Sequence, residues 1–335
     1  MKVHVLSNPH RPTTTKYADY DPFAIITHEY VHNMKERDCE IIHYGLEGSD
    51  VNCEHHSLSS NLEEFNKQAS EIIGKRKNPG DVISCMYGWA NKEATDAHTD
   101  LRIIEPAIGY SAHGTFAPFK VFKSNAHMQY FYGAHDRMMT PSWFDEVIPW
   151  GRDPADFTFT EHHKKEDYFL CFGRVNRNKG VALAIDVAEK AGVKLVVAGP
   201  GSLYDMGYLT TPKHVEVVGE CDSEQRKKLM AGARGLFGAT FYLEPFGLMV
   251  IEGYFSGTPA ITTDWGAFPE TVVQGKTGYR CRQFSDFVTA TRKINEGEIQ
   301  SIDCLDYAIK NYSNKVVFDK HYKYIQRVNT LNFYS

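Results

Sequence analysis

Two glutamates eight positions apart, Glu244 and Glu252, stand in the stretch Phe241–Gly257, FYLEPFGLMVIEGYFSG. A Pro-Phe-Gly turn follows the first, and an apolar run of helical character carries the second. Proline suits the first position of a helix because its φ is already set and its missing N–H had no intrahelical acceptor. The spacing therefore predicts a helix beginning at Pro245, with Gly247 keeping side chains away from its first free amides. Such amides form a site for an anion or for sugar hydroxyls. Glu252 would lie two turns in, at a rise of about 1.5 Å per residue. Carboxylates accept hydrogen bonds from hydroxyls, so two acidic groups beside a positive helix end suit a ligand with both phosphates and hydroxyls. A nucleotide sugar is such a ligand. The same residues also fit a plainer account, a helix packing Leu248, Ile251 and Phe255 into a core with Glu252 on its solvated face.

A second group of residues points to the same chemistry. Arg174 and Lys179 lie in FGRVNRNKG, between an expected strand (Tyr168 to Phe172) and an expected helix (Val181 to Ala191). Two cations and a helix N-terminus converging on one turn would hold a diphosphate. Two further matches suggest metals. His28-Glu29-Tyr30-Val31-His32 fits H-E-x-x-H, which on a helix aims both imidazoles at Zn²⁺ and would make a hydrolase. It lacks the downstream extension and a visible third ligand, so a solvated helix face is the competing account. Asp19-Tyr20-Asp21 fits a D-x-D metal pattern, but Asp21 before Pro22 also reads as a helix N-cap.

The elements that must position these groups follow in order. Lys2 to Ser7 reads as an opening strand ending at Asn8-Pro9. A helix fits Pro22 to Arg37, a strand Glu40 to Tyr44, a helix Leu62 to Lys75, and strands Asp81 to Met86 and Arg102 to Ile108. A helix is expected over Val121 to Tyr132, and the charged stretch Gly151 to Glu166 reads as a linker. Further on come a strand at Lys194 to Ala198, the strand HVEVVGEC, a helix at Ser223 to Ala233, a strand at Ala260 to Thr263 and a short helix near Glu270. The tail from Asp303 to Val328 is helical with a break near Asn311 to Asn314. Alternating strands and helices imply α/β architecture with parallel sheets covered on both faces and ligands at the strands' carboxyl ends.

At 335 residues the chain suits two domains. A net charge of -5 gives no general attraction to nucleic acid, so stable nucleic-acid binding is not expected, although a DNA acceptor stays open. Seven scattered cysteines without a C-x-x-C spacing imply a reduced, cytoplasmic protein. No stretch approaches a membrane span or a signal peptide.

The segment Phe169 to Cys281 resembles retaining glycosyltransferases of family 4, which have the GT-B fold of two facing Rossmann-like domains with a cleft between them. FGRVNRNKG is similar to that family's Gly-Arg-to-Lys-Gly signature, and LEPFGLMVIEGYFSGTPAITTDWGAFPETVVQGKTG to its E-x7-E motif. The resemblance implies an acceptor-side domain at 1–150, a nucleotide-sugar domain at 151–312 and a closing helix at 313–335 that crosses back. It also implies that Gly173, Arg174 and Lys179 hold the donor diphosphate, that Glu244 with Phe246, Gly247 and Leu248 holds the sugar, and that Glu252 holds the ribose. The base would lie near Val218 to Glu220, beside Gly219.

Two departures from the family pattern stand out. The first loop, SNPHRPTTTKY, has no glycine, so threonines such as Thr14 would substitute for its amides. The first-domain histidine near the sugar would be His113, with Tyr110 as its rival. Tyr17, Trp89 and Tyr110 are acceptor-side candidates for stacking, as are Phe116 and Phe119. The implied function is retaining transfer from a nucleotide-diphosphate sugar to a hydroxyl of a glycan, a small molecule, a lipid-linked sugar or a hydroxymethylated DNA base. It needs no cofactor and no essential metal. The alternatives are a non-transferring GT-B enzyme, either an epimerase or phosphorylase-like, a donor-binding protein, and the zinc hydrolase.

Overall fold

Every residue from Val3 to Leu6 is fully buried, which a strand achieves only when both faces of its sheet are covered. The computed structural model describes residues 1–15, 22–137, 139–140 and 142–330. They divide into two units, 1–151 with 314–335 and 152–313.

The first unit contains β1 (Lys2–Leu6), α1 (Pro22–Lys35), β2 (Glu40–Gly45), β3 (Glu54–Ser57), α2 (Leu62–Arg76) and β4 (Val82–Cys85). It continues with β5 (Arg102–Ile108), β6 (Phe119–Phe122), α3 (Asn125–Ala134) and β7 (Glu146–Val147). The described strands form one seven-stranded sheet in the order β3-β2-β1-β4-β5-β6-β7, parallel throughout. The expected helix at Val121 to Tyr132 is corrected here. Phe119, Val121 and Phe122 are buried in strand β6, and α3 begins only after Ser124, whose side chain accepts the His127 amide as N-cap.

The second unit contains β8 (Phe169–Phe172), α4 (Val181–Ala191), β9 (Leu195–Ala198), β10 (Val215–Gly219), α5 (Ser223–Gly232) and β11 (Gly235–Gly238). After these come α6 (Leu248–Phe255), β12 (Ala260–Thr263), α7 (Phe268–Thr271), β13 (Gly278–Cys281), α8 (Phe284–Asn295) and α9 (Ser301–Tyr312). Its six described strands run parallel in the order β10-β9-β8-β11-β12-β13. The order reverses between β8 and β11, and such a reversal opens a crevice at the strands' carboxyl ends. The register pairs Phe169 with Gly235 and Leu170 with Leu236, so these two strands end side by side.

The last helix, α10 (Asn314–Asn329), belongs to the first unit. Asn314 donates to Glu29 (2.5 Å), and Phe318 and His321 pack on Tyr30 with ring centroids 6.2 and 5.6 Å away. Among the described residues no helix is long and apolar enough to cross a membrane.

One buried cation ties together the helices of the second unit. Lys165 Nζ donates to the carbonyls of Ala231 (3.1 Å) and Ser256 (3.2 Å) and to Thr258 Oγ1 (2.8 Å). Ala231 ends α5 and Ser256 follows α6, so Lys165 satisfies the carbonyl ends of both. Burial pulls the Lys165 pKa down from 10.5 to about 7. Between those values the unfolded chain binds more protons than the native one, so this group makes stability rise with pH there, by at most about 1.4 kcal/mol per pH unit. Lys165→Met should flatten the rise in unfolding free energy between pH 7 and 10 in urea titrations. Parallel pH profiles for the variant and the parent would refute that assignment.

Candidate functional site

At the switch point of the second unit two loops run in direct backbone contact. Asn176 accepts the Lys179 amide through its side chain (2.9 Å), which closes a short 3₁₀ turn at Arg177–Lys179. Gly180 follows with φ +72° as N-cap of α4. It lies so close to the segment after β11 that a Cβ there would sit 2.0 Å from the Ala239 carbonyl oxygen. Phe241 N donates to Asn178 O (2.8 Å) in the same contact. Only glycine combines that φ with that approach.

This contact brings Lys179 to Glu244. Lys179 Nζ lies 3.4 Å from Glu244 Oε2, is bonded to the Tyr242 hydroxyl and sits 4.9 Å from that ring's centroid. Tyr242 in turn donates to Glu244 Oε2 (2.7 Å). Burial, with the Glu244 charge second, pushes the Tyr242 pKa upward, so the phenol keeps its proton as a donor, while the Arg174 charge pulls the other way. Arg174 is exposed and Gly173 half-buried. Sequence reasoning missed Tyr242; its one signal was its place two residues before Glu244.

The helix after Glu244 begins later than Pro245. Phe246 is buried with its ring 5.8 Å from that of Tyr312, and Gly247 takes φ +82°, so α6 starts at Leu248. Leu248 and Met249 are half-buried, and their first-turn amides have no acceptor within the helix. Ala267 N donates to Glu244 O (2.9 Å), which fixes the loop from the other side.

Glu252 is not on a solvated face. It has no exposed surface, Arg226 Nη2 bonds its Oε2, and Arg152 Nε lies 3.3 Å from its Oε1. Val218 and Gly219 end the edge strand β10, where Val218 is exposed and the Gly219 carbonyl accepts from Gly199 N (2.7 Å).

The remaining sequence candidates lie in the first unit. Thr14 is buried and Trp89 exposed. Tyr110 donates to Glu105 (2.9 Å), a fully buried carboxyl that also accepts the amides of Phe116 (3.1 Å) and Ala117 (3.0 Å). Burial raises the Glu105 pKa to about 7. The Tyr110 hydroxyl is thus committed within the unit. His113, on a 3₁₀ turn, lies edge-on to His135 at 5.6 Å. Asn91 donates to Ser7 O (3.0 Å) and accepts Tyr87 N (2.9 Å), which joins the loops after β1 and β4. Phe119 belongs to the core. Tyr17 and the Asp19–Asp21 motif lie outside the described residues.

The H-E-x-x-H residues lie on α1. His28 and His32 lie tilted at 30° with centroids 3.9 Å apart, and Glu29 is bonded by Asn33 (3.3 Å) as well as Asn314. Among the described residues no three His, Cys, Asp or Glu side chains group to hold a metal.

With this geometry in place, comparison with known proteins is informative. Residues 153–311 match the family model of glycosyl transferases group 1. A glycogen synthase of Mycobacterium tuberculosis is 30% identical over 162 residues, 44% of this chain and 39% of that protein. An alpha-1,3/1,6-mannosyltransferase ALG2 of Dictyostelium discoideum is 29% identical over 165 residues, 40% of this chain and 38% of that protein. The chain thus spans about two fifths of the length of these curated relatives. Among solved structures, AviGT4, a glycosyltransferase involved in avilamycin A biosynthesis, superposes with a TM-score of 0.75 at 19% identity, covering 99% of this chain and 98% of that one. Anabaena Alr3699/HepE in complex with UDP-glucose superposes at 0.73 with 13% identity, covering 98% and 100%. The fold is GT-B, built on two parallel-sheet α/β units.

Removing the Tyr242 hydroxyl breaks two half-buried hydrogen bonds to charged groups, one accepted from Lys179 and one donated to Glu244. Tyr242→Phe should cost about 1.5–3 kcal/mol of unfolding free energy in urea. An unchanged midpoint and slope would show that the hydroxyl does not hold Glu244.

Proposed function

We propose that the second unit binds a nucleoside-diphosphate sugar and that the chain transfers the sugar to a hydroxyl acceptor with retention of anomeric configuration. The observation that carries this reading is the Lys179–Tyr242–Glu244 cluster, set at the β8/β11 switch point beside Arg174 and the start of α6. A cation next to a carboxylate, with free amides behind it, suits a ligand that has anionic oxygens at one end and hydroxyls at the other. The match to glycosyl transferases group 1 and the superposition on a UDP-glucose complex support the same choice.

In this reading Arg174, Lys179 and the amides of Leu248 and Met249 bind the diphosphate. As the C1–O bond to the diphosphate lengthens, negative charge grows on the leaving group where these donors already point. Losing one such donor typically costs about 2.7–4 kcal/mol of barrier. Glu244 orients the sugar through its hydroxyls and faces the positive charge that develops on the ring, with Tyr242 fixing the carboxylate. The departing diphosphate takes the acceptor's proton on the face it leaves, which gives retention. Glu252 accepts the ribose hydroxyls, and the base lies along Val218 to Glu220. No metal is essential, because two cations and a helix start neutralise the leaving group.

Thermal or chemical denaturation with UDP-, GDP- and ADP-sugars tests the donor site. One class at 100 times its dissociation constant should add about 2.7 kcal/mol of stability to the parent. Arg174→Ala and Lys179→Ala should lose that increment. A parent chain that no nucleotide sugar stabilises would contradict the reading. Proton NMR of the first product should show the donor's anomeric configuration, and inversion would overturn the proposed mechanism.

A further inference from the structure

The first unit has a switch point of its own. Its sheet order reverses between β1 and β4, and the register pairs Leu6 with Cys85, so these two strands end side by side. The loops that follow them flank a crevice at the strands' carboxyl ends. Asn91 joins the two loops through Ser7 O and Tyr87 N, and the His10 ring lies edge-on to Tyr87 at 6.1 Å. The loop after β4 carries Trp89 in the 3₁₀ turn Gly88–Asn91, and 57% of that residue is exposed, so more than half of it is open to a ligand. Trp89 is nevertheless firmly placed. Gly88, at φ +58°, fits so closely against the loop after β5 that a Cβ there would meet Gly114 O at 2.5 Å and the Tyr110 ring at 2.7 Å. The Phe116 ring stands perpendicular to that of Trp89 at 6.3 Å, and the Phe116 backbone N–H donates to the buried Glu105 (3.1 Å). Lys92 Nζ lies 5.6 Å from the centre of the Trp89 ring and donates to Asp96 (2.8 Å).

We propose that this crevice is a carbohydrate-binding site in which Trp89 stacks on a ring of the acceptor, so that the hydroxyl acceptor is a sugar. The acceptor role rests on the transferase reading above, whereas the binding site rests on the first unit alone. An aromatic ring already fixed by its neighbours loses little conformational freedom when a ligand arrives. The C–H face of a sugar ring packs on such a surface, and the hydroxyls at its edge need donors and acceptors nearby. The two loops supply both kinds, in the exposed His10 and in Lys92, Glu93 and Asp96. Their charges also select the class of ligand. Across residues 7–15 and 86–96 the charged side chains balance, Arg11 and Lys92 against Glu93 and Asp96. Such a rim has no net attraction for a polyanion, which favours a neutral glycan or glycoside over DNA.

The chain has four tryptophans, so its proton–nitrogen NMR spectrum holds four indole N–H signals, and Trp89→Phe identifies the one from Trp89. Titration of the whole chain with the α- and β-methyl glycosides of glucose, mannose, galactose and N-acetylglucosamine should move that signal, to saturation, for at least one of them. By saturation-transfer NMR, Trp89→Ala should weaken that glycoside about 10-fold or more. Trp89→Phe, which keeps a stacking ring and guards against misfolding of the alanine variant, should stay within about 3-fold of the parent. Stabilisation by the nucleotide sugar should be the same in both variants as in the parent. Two results overturn the carbohydrate site and leave the donor site standing: no glycoside moves the Trp89 signal in a chain that a nucleotide sugar stabilises, or the glycoside binds Trp89→Ala as tightly as the parent. Movement of the signal by 5-hydroxymethyldeoxycytidine and by no glycoside overturns the choice of ligand. Glycoside binding through Trp89 in a chain that no nucleotide sugar stabilises upholds the carbohydrate site and overturns its role as acceptor site.

Discussion

A backbone contact with no room for a side chain organises the second unit. Gly180 meets the Ala239 carbonyl, and the turn after β8 therefore lies against the loop after β11. Neither strand alone brings chemistry together. Their adjacent carboxyl ends at the switch point supply the position, and the glycine contact supplies the last few ångströms that set Lys179 3.4 Å from Glu244. Tyr242 completes the arrangement by bonding both groups. A cation, a phenol and a carboxylate in mutual contact hold one another's geometry.

A second cluster, around Glu252, is buried. A carboxylate without solvent persists only with close cationic partners, and Glu252 has them in Arg152 and Arg226. The helices that bring these groups together, α5 and α6, have their carbonyl ends joined by Lys165. That cation sits at the opposite end of α5 and α6 from Arg226 and Glu244. The order of dependence runs from Lys165 to the helix pair, and from the pair to the Arg226–Glu252 bond.

Much of the fold was legible in the sequence because parallel strands buried on both faces read as short apolar runs, as in KVHVL and FLCF. Strand β3, EHHS, was not, since it is polar at an edge and carries no apolar alternation. Val121 and Phe122 at the end of FKVF were read as the start of a helix because three apolar residues and a lysine ahead of a helical stretch have no period of their own, and only burial in the sheet decides. Pro245 misplaced the start of α6 for a similar reason: the burial of Phe246 and the left-handed Gly247 outweigh local preference. Glu244, Arg174 and Lys179 stood out in residue type and spacing, and the structure sets Lys179 beside Glu244. The partners of Glu252 did not, because Arg152 and Arg226 are distant in the chain and no local pattern announces them. The same holds for Tyr110, whose hydroxyl is bound to a buried Glu105 that looked like an ordinary strand residue.

The most direct test of the central claim is a crystal structure of this chain with a nucleoside-diphosphate sugar. The account predicts the diphosphate against Arg174, Lys179 and the first amides of α6, with the sugar hydroxyls on Glu244. A nucleotide bound away from the turn after β8, with Lys179 and Glu244 still paired only to each other and Tyr242, would contradict it.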